Sequence, residues 1–207
     1  MSMEHYRAAQ KAGKKDLQTR TSQKLPVEMP ALDTILEHVD ISGEVPLGLV
    51  DIPTELIVGT KTCGRASSFA PNFMPILGEN TEFAAKWSSL CDAHLKEGIR
   101  DPIVAYEYMN HYYIQEGNKR VSVLKYFDAI SIPGYVTRII PAREDTPESR
   151  IYYEFLDFYN ATNINYLFFS KEGSYAHLAF HLGHRRYERW SMDDRIPVSY
   201  THLTLPT

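Results

Sequence analysis

Residues 98–127 have the sequence GIRDPIVAYEYMNHYYIQEGNKRVSVLKYF, in which two apolar runs, a turn and a helical run follow one another closely. The runs predict one strand at 103–106 and a second at 112–115, and the residues between them, 107–111, predict a hairpin turn. Asn110 is the residue of that turn best suited to a positive φ. Gly117 comes shortly after the return strand, and the segment VSVLKYFDA beyond it predicts a helix. The stretch therefore predicts a strand–turn–strand unit that leads through a glycine into a helix.

The junction between that strand and helix contains Gly117, Asn118, Lys119 and Arg120. A glycine lets the backbone turn tightly, and the first amide N–H groups of a helix have no intrahelical partner. Those groups and the helix dipole attract anions. Arg120 is suited to hold a phosphate bidentately, and Lys119 adds a point charge. The junction predicts a phosphate-binding helix start, although the four-residue pattern alone also fits an ordinary capped turn.

The rest of the chain combines helical and strand patterns. The clearest helix is at 81–97, where apolar residues repeat at helical spacing between a capping residue, Asn80 or Thr81, and the terminating Gly98. Further helices are predicted at 3–15, at 31–39, from Thr146 onward and at 174–183. Further strands are predicted at 45–60 and 134–140. These elements predict an α+β protein.

The composition is that of a globular protein and excludes several classes. With 207 residues, 43% hydrophobic residues and two cysteines, the chain is not collagen-like, of low complexity or a disulfide scaffold. A net charge of −4 gives no general attraction to nucleic acid. No stretch approaches the roughly 20 apolar residues of a membrane helix, and the N-terminus lacks a secretory pattern. The sequence predicts a cytoplasmic protein without membrane contact within 1–197, in which Cys63 and Cys91 are reduced.

The order and spacing of these motifs resemble the ParB/sulfiredoxin superfamily over roughly 45–141. The shared features are a strand, a loop arginine, a helix, a G-I-x-x-P-I segment, a hairpin, a G-x-x-R helix start and a last strand. They correspond here to 49–58, Arg65, 81–97, 98–103, 103–115, 117–120 and 134–140. The resemblance implies a small mixed sheet with packed helices. It also implies that Arg65, Gly117, Asn118, Lys119 and Arg120 bind the phosphates of CTP or ATP, with Mg²⁺.

The departures from that family bear on the activity. The sulfiredoxins that this chain resembles are sulfinic-acid reductases, and their catalytic cysteine stands at the second position of the motif. This sequence has Asn118 at that position, so the resemblance does not extend to reductase activity. The region 142–197 contains aromatic-rich helices but no convincing helix-turn-helix pattern, which disfavours chromosome partitioning. The superfamily also includes a free-serine kinase, and that branch has an acidic residue just before the motif glycine. Glu116 occupies the corresponding place in this sequence. Glu116 is suited to hold Mg²⁺ or accept a hydroxyl proton, and it is equally compatible with a surface charge at a strand end.

The flanks predict a division of the chain into four parts. Residues 1–44 predict a loosely attached helical extension, and its six basic residues between 7 and 24 fit a solvated helix or a weak anion contact. Residues 45–141 form the nucleotide-binding domain of the resemblance, and 142–197 a truncated helical extension. The last ten residues, VSYTHLTLPT at 198–207, resemble a translated sequencing adaptor. Residues 1–197 also resemble the N-terminal region of long Firmicutes proteins, some of which are labelled as BMP-type transport proteins.

Three functions are compatible with these patterns. The first is a regulatory nucleotide-binding module of a longer bacterial protein. The second is a phosphotransferase or nucleotide hydrolase in which Glu116 is the base. The third is a DNA-binding partitioning-type protein, which the acidic net charge disfavours. The first is the hypothesis that the residues favour.

Overall fold

The computed structural model of the protein describes residues 2–183, 189–191 and 193, so the adaptor-like segment at 198–207 lies outside the described residues. The chain divides into two compact units, 1–141 and 142–207. The described part of the first unit contains a five-stranded sheet and five α-helices, and that of the second contains two α-helices. The predicted α+β class with a small mixed sheet is confirmed.

The sheet of the first unit has the strand order β1-β5-β3-β4-β2. The strands are β1 (Ile41–Pro53), β2 (Ile57–Thr60), β3 (Ile103–Tyr108), β4 (His111–Glu116) and β5 (Ser131–Pro141). β1 pairs with β5, and β3 with β4, in antiparallel orientation. β3 pairs with β5, and β2 with β4, in parallel orientation. The central strand β3 is therefore bounded on one side by its own hairpin partner and on the other by the last strand.

The helices of the first unit are α1 (Ser2–Ser22), α2 (Leu32–Leu36), α3 (Cys63–Ala66), α4 (Glu82–Glu97) and α5 (Asn118–Tyr126). The bounds of α4 agree with the local signals of the sequence. The Oγ1 atom of Thr81 accepts a hydrogen bond from the Ala84 N–H at 3.2 Å. At the other end, Gly98 has a φ of 78° and donates its N–H to the His94 carbonyl.

The hairpin turn is shorter than the sequence predicts. It contains Met109 and Asn110, with φ angles of 49° and 66°, which is the conformation of a tight two-residue turn. Asn110 is thus the positive-φ residue that the sequence predicts. The prediction that Glu107 belongs to the turn is wrong, because Glu107 lies in β3 in register with Arg138 of β5 and forms an ion pair with it.

The predicted helix at 31–39 is also shortened, to the five residues of α2. At the N-terminal end, backbone pairing with the end of β2 and with Lys61 excludes Ala31 from the helix. Ala31 forms a parallel bridge with Thr60, and the Asp33 N–H donates to the Lys61 carbonyl at 3.0 Å. At the C-terminal end the chain leaves the helix after Leu36, where the Val39 N–H donates to the Leu36 carbonyl at 3.2 Å.

The helix α1 is attached more firmly than its polar composition predicts. Tyr6 and Ala9 are completely buried, and the Tyr6 ring packs edge-on against Trp87 of α4 with centroids 5.5 Å apart. The Tyr6 hydroxyl donates to the Leu77 carbonyl at 2.8 Å. These contacts correct the expectation of a loosely attached segment, because a completely buried aromatic side chain stabilises its docking by roughly 1.5–3 kcal/mol.

The second unit contains α6 (Pro147–Thr162) and α7 (Ser174–His181). The predicted start of α6 is confirmed, because the Thr146 Oγ1 atom accepts from the Ser149 N–H at 3.2 Å and Pro147 occupies the first helical position. Phe155 and Phe158 of α6 are buried and pack against Tyr175 of α7. The aromatic stripe of α6 is therefore core, and it holds the two helices together.

Candidate functional site

The start of α5 is shaped by a glycine that no other residue replaces without strain. Gly117 follows the last residue of β4 and has φ 97° and ψ 17°, in the left-handed region. A Cβ atom at this position would lie 2.7 Å from the Ile103 Cγ2 atom. The backbone conformation and the close approach of Ile103 both require glycine, which confirms the tight turn that the sequence predicts.

The backbone at this helix start is arranged to attract an anion. The Val121 N–H donates to the Gly117 carbonyl at 2.9 Å as the first helical bond. Gly117 has no side chain with which to cap the amide N–H groups before Val121, and no side-chain cap is formed. α5 has nine residues, so its dipole adds a partial positive charge at this end.

Asn118 is the first residue of α5 and is the least satisfied polar residue near the site. Its side chain is 6% exposed, and neither its Oδ1 nor its Nδ2 atom has a hydrogen-bond partner among the described residues. A buried polar group without a partner costs about 1–3 kcal/mol. Such groups are rare in folded proteins and often indicate a water, an ion or a ligand that completes the hydrogen bonds. The Asn118 side chain therefore lacks hydrogen bonds that a bound ligand, ion or water would supply.

Arg120 is partly engaged by the protein itself. Its Nη1 atom donates to the carbonyls of Asp101 and Pro102, at 3.0 and 2.7 Å. The guanidinium thus ties α5 to the segment that precedes β3. A guanidinium has five N–H donors, and those on Nε and Nη2 make no hydrogen bond within the described part of the chain. These two nitrogens form one edge of the fork, which is the geometry that takes an oxyanion bidentately.

Lys119 lies at the other side of the helix start. Its Nζ atom is 4.8 Å from the centre of the Phe83 ring in the first turn of α4. A cation over an aromatic face is stabilised by about 0.5–1 kcal/mol at an exposed position. The contact holds the ammonium beside the starts of both α4 and α5, where it adds positive charge to the field of the helix ends.

The two other predicted residues are less closely placed. Glu116 is exposed at the end of β4, where it pairs in register with Val104 and immediately precedes Gly117. Its carboxylate is therefore adjacent in the chain to the helix start. Arg65 lies in α3, and its side chain lies outside the described part of the structure. The backbone thus brings 116–120 together, while Arg65 stays a prediction.

One buried and one partly buried hydrogen bond that support this region escape sequence reasoning. The Trp87 Nε1–H donates to the Ser122 Oγ atom at 2.8 Å, which ties the centre of α4 to the second turn of α5. Lys125, at the end of α5, donates through Nζ to the Ile57 carbonyl at 2.9 Å. Burial lowers the pKa of Lys125 to about 8, because the ammonium loses water. The sequence contains no local signal for either contact, since each partner is more than thirty positions away.

The cysteines do not take part in the site. Cys63 is an exposed free thiol in α3, and Cys91 is a buried free thiol in α4. Burial raises the pKa of the Cys91 thiol, which keeps it in the unreactive form. No group of three or more metal-ligating side chains is found within the described ranges. In that same part of the chain, no helix is both long and apolar enough to cross a bilayer.

Comparison with known proteins identifies a partial structural similarity. No protein-family model matches the chain. No curated protein matches it. Among solved structures, the chain is similar to the crystal structure of sulfiredoxin from Arabidopsis thaliana, with a TM-score of 0.30 and 19% sequence identity. The match covers 42% of this chain and 82% of that chain.

Proposed function

We propose that the protein binds the phosphate groups of a nucleotide, CTP or ATP, at the start of α5. The observation that carries this proposal is Asn118, whose buried amide lacks hydrogen-bond partners at a helix start that has no side-chain cap. A phosphate oxygen placed there meets amide N–H groups, the helix dipole and the amide of Asn118. The order of motifs that resembles ParB/sulfiredoxin proteins supports the same ligand class.

Each neighbouring side chain has a distinct role in this proposal. Arg120 presents the Nε–Nη2 edge to a phosphate while its Nη1 atom holds the segment before β3. Lys119 contributes a point charge. Glu116 and the phosphates together are suited to hold Mg²⁺, and Arg65 contributes a further cation. The module would act as a regulatory part of a longer bacterial protein of the cytoplasm.

Isothermal titration calorimetry with CTP and ATP, each with and without Mg²⁺, tests the proposal. We expect a dissociation constant on the order of micromolar for one of the two nucleotides. Replacing Arg120 by alanine is expected to abolish binding, but it also removes the contacts to Asp101 and Pro102. The sharper variant is therefore Lys119→Glu, because the helix dipole favours an acid in the first turn and offsets the lost contact with Phe83, while the new charge repels phosphate.

A matched control is available in Lys14→Glu, which makes the same change of charge at an exposed position of α1. Lys119→Glu should weaken nucleotide binding by at least about tenfold relative to Lys14→Glu, which corresponds to about 1.4 kcal/mol. Equal affinity in the two variants, or no binding heat with either nucleotide, would reject the phosphate site.

A second candidate function is phosphoryl transfer or nucleotide hydrolysis with Glu116 as the base. The exposed position of Glu116 directly before Gly117 favours it, because the carboxylate adjoins the proposed phosphate position in the chain. In this case Glu116→Gln should abolish Mg²⁺-dependent turnover and leave nucleotide affinity unchanged. Turnover that persists in Glu116→Gln would eliminate this role.

A further inference from the structure

Two histidines of α7 present a pair of ring nitrogens to the solvent. His177 and His181 are both exposed and occupy positions four residues apart on the helix. Their Nε2 atoms are 3.1 Å apart, and their ring centroids are separated by 4.2 Å with the planes at 80°. The two Nε2 atoms are therefore close enough to each other to contact a single ion beside the helix.

The helix behind this pair is fixed. Tyr175 and Ala179 are buried, and they precede the two histidines by two positions each, about 200° around the helix. The Tyr175 ring packs against Phe158 of α6 with centroids 5.1 Å apart. At the start of α7, the Glu154 carboxylate accepts from the Gly173 N–H at 2.9 and 2.8 Å. The packed face points toward α6, so the histidine face is the outer one.

The distance between the two nitrogens matches the separation of two imidazole nitrogens that bind the same metal ion. A bond of 2.0–2.1 Å from each imidazole nitrogen, with an angle of 90° or 109° at the metal, places the nitrogens roughly 2.9–3.4 Å apart. We propose that His177 and His181 together bind a divalent transition-metal ion of the imidazole-preferring class, such as Zn²⁺, Ni²⁺ or Cu²⁺. The two Nε2 atoms lie within hydrogen-bond distance of each other, and each would bind the ion through its lone pair.

Two protein side chains among the described residues would bind the ion, and water would complete its coordination. No third His, Cys, Asp or Glu side chain joins the pair among the residues that the structure describes. A site of this kind is open to solvent and binds more weakly than a closed structural zinc site. The expected order of affinity is that of imidazole ligands, with Cu²⁺ bound more tightly than Ni²⁺ or Zn²⁺.

The test is calorimetric titration of the full chain with ZnCl₂ and with NiCl₂. We expect one saturable site, whose affinity should fall by at least about tenfold in each of the single variants His177→Gln and His181→Gln. Loss of a group that only hydrogen-bonds to a metal ligand already lowers metal affinity by about 10–100-fold, and these variants remove a ligand itself. His38→Gln is the matched control, since His38 is also exposed but lies outside α7. It should bind like the unchanged protein.

Electron paramagnetic resonance of the Cu²⁺ form supplies a second measurement that does not depend on affinity. Coupling to two imidazole nitrogens is expected in the unchanged protein, and coupling to one in each single variant. Circular dichroism at 222 nm should be the same in all variants, because both histidines are exposed. Unsaturable binding in the unchanged protein, or equal affinity in His177→Gln, His181→Gln and His38→Gln, would overturn the proposal.

Discussion

A buried ion pair joins Glu107 of β3 to Arg138 of β5. The two side chains are 1% and 3% exposed, on the neighbouring strands β3 and β5. The Arg138 Nε–H donates to the Glu107 Oε2 atom, and the Glu107 Oε1 atom accepts from the Asn110 N–H at 2.7 Å. One carboxylate thus joins β5 to the hairpin turn between β3 and β4.

Replacing Glu107 by glutamine keeps the shape of the side chain but removes its charge and one acceptor oxygen. The single carbonyl oxygen can serve one of the two donors, so the NH₂ group faces the other. The Arg138 guanidinium stays ionised, because arginine is not deprotonated in proteins, and it is left buried without its carboxylate. Removing one partner of a buried pair costs about 3–5 kcal/mol. This is a large share of the typical 5–15 kcal/mol of a domain.

Urea unfolding, followed by tryptophan fluorescence at pH 7, measures this loss. Glu116→Gln is the matched control, because it makes the same change at an exposed position of β4 and should cost less than about 0.5 kcal/mol. The double variant Glu107→Leu with Arg138→Met removes both charges and should recover most of the stability. A free energy of unfolding for Glu107→Gln within 1 kcal/mol of the unchanged protein would refute the reasoning.

Three further predictions concern the surroundings of α5. Gly117→Ala should lower the free energy of unfolding by about 2–4 kcal/mol in the same assay, because the backbone is left-handed and the new Cβ atom would lie 2.7 Å from Ile103. A loss below 1 kcal/mol would mean that the turn relaxes. Trp87→Phe should lower the free energy of unfolding by about 1–3 kcal/mol through its lost hydrogen bond to Ser122, and a double-mutant cycle with Ser122→Ala should show coupling. This unfolding is followed by circular dichroism at 222 nm, because the substitution removes one of the two tryptophans. Lys125 has a pKa of about 8 in the native state and the usual value near 10.4 when unfolded, so the unfolded chain binds more protons between these values and stability rises with pH. Relative to Lys125→Met, the free energy of unfolding should therefore rise by about 2–3 kcal/mol from pH 7 to pH 10, and a constant difference would contradict the burial of the ammonium.

Much of the local structure follows from local signals. The bounds of α4 and α6 come from Thr81 and Thr146 as caps, because capping depends only on residues within one turn of the helix end. Gly98 and Gly117 adopt positive φ where the sequence places a helix end and a tight turn. The helix start at 117–120 can be predicted from the sequence for the same reason, because a strand, a glycine and a helical run follow one another directly in the chain.

The limits of such prediction appear where the decisive partner is distant. The sequence by itself determined the α+β class, the hairpin and the glycine that opens α5. Only the tertiary structure decided that Glu107 belongs to a strand, because Arg138, 31 positions away, neutralises it there. The docking of Tyr6 against Trp87 and the unpaired amide of Asn118 depend in the same way on contacts across the fold. Helix caps and turns are set by hydrogen bonds between near neighbours, whereas the free energy of a buried polar group depends on what the folded chain places beside it.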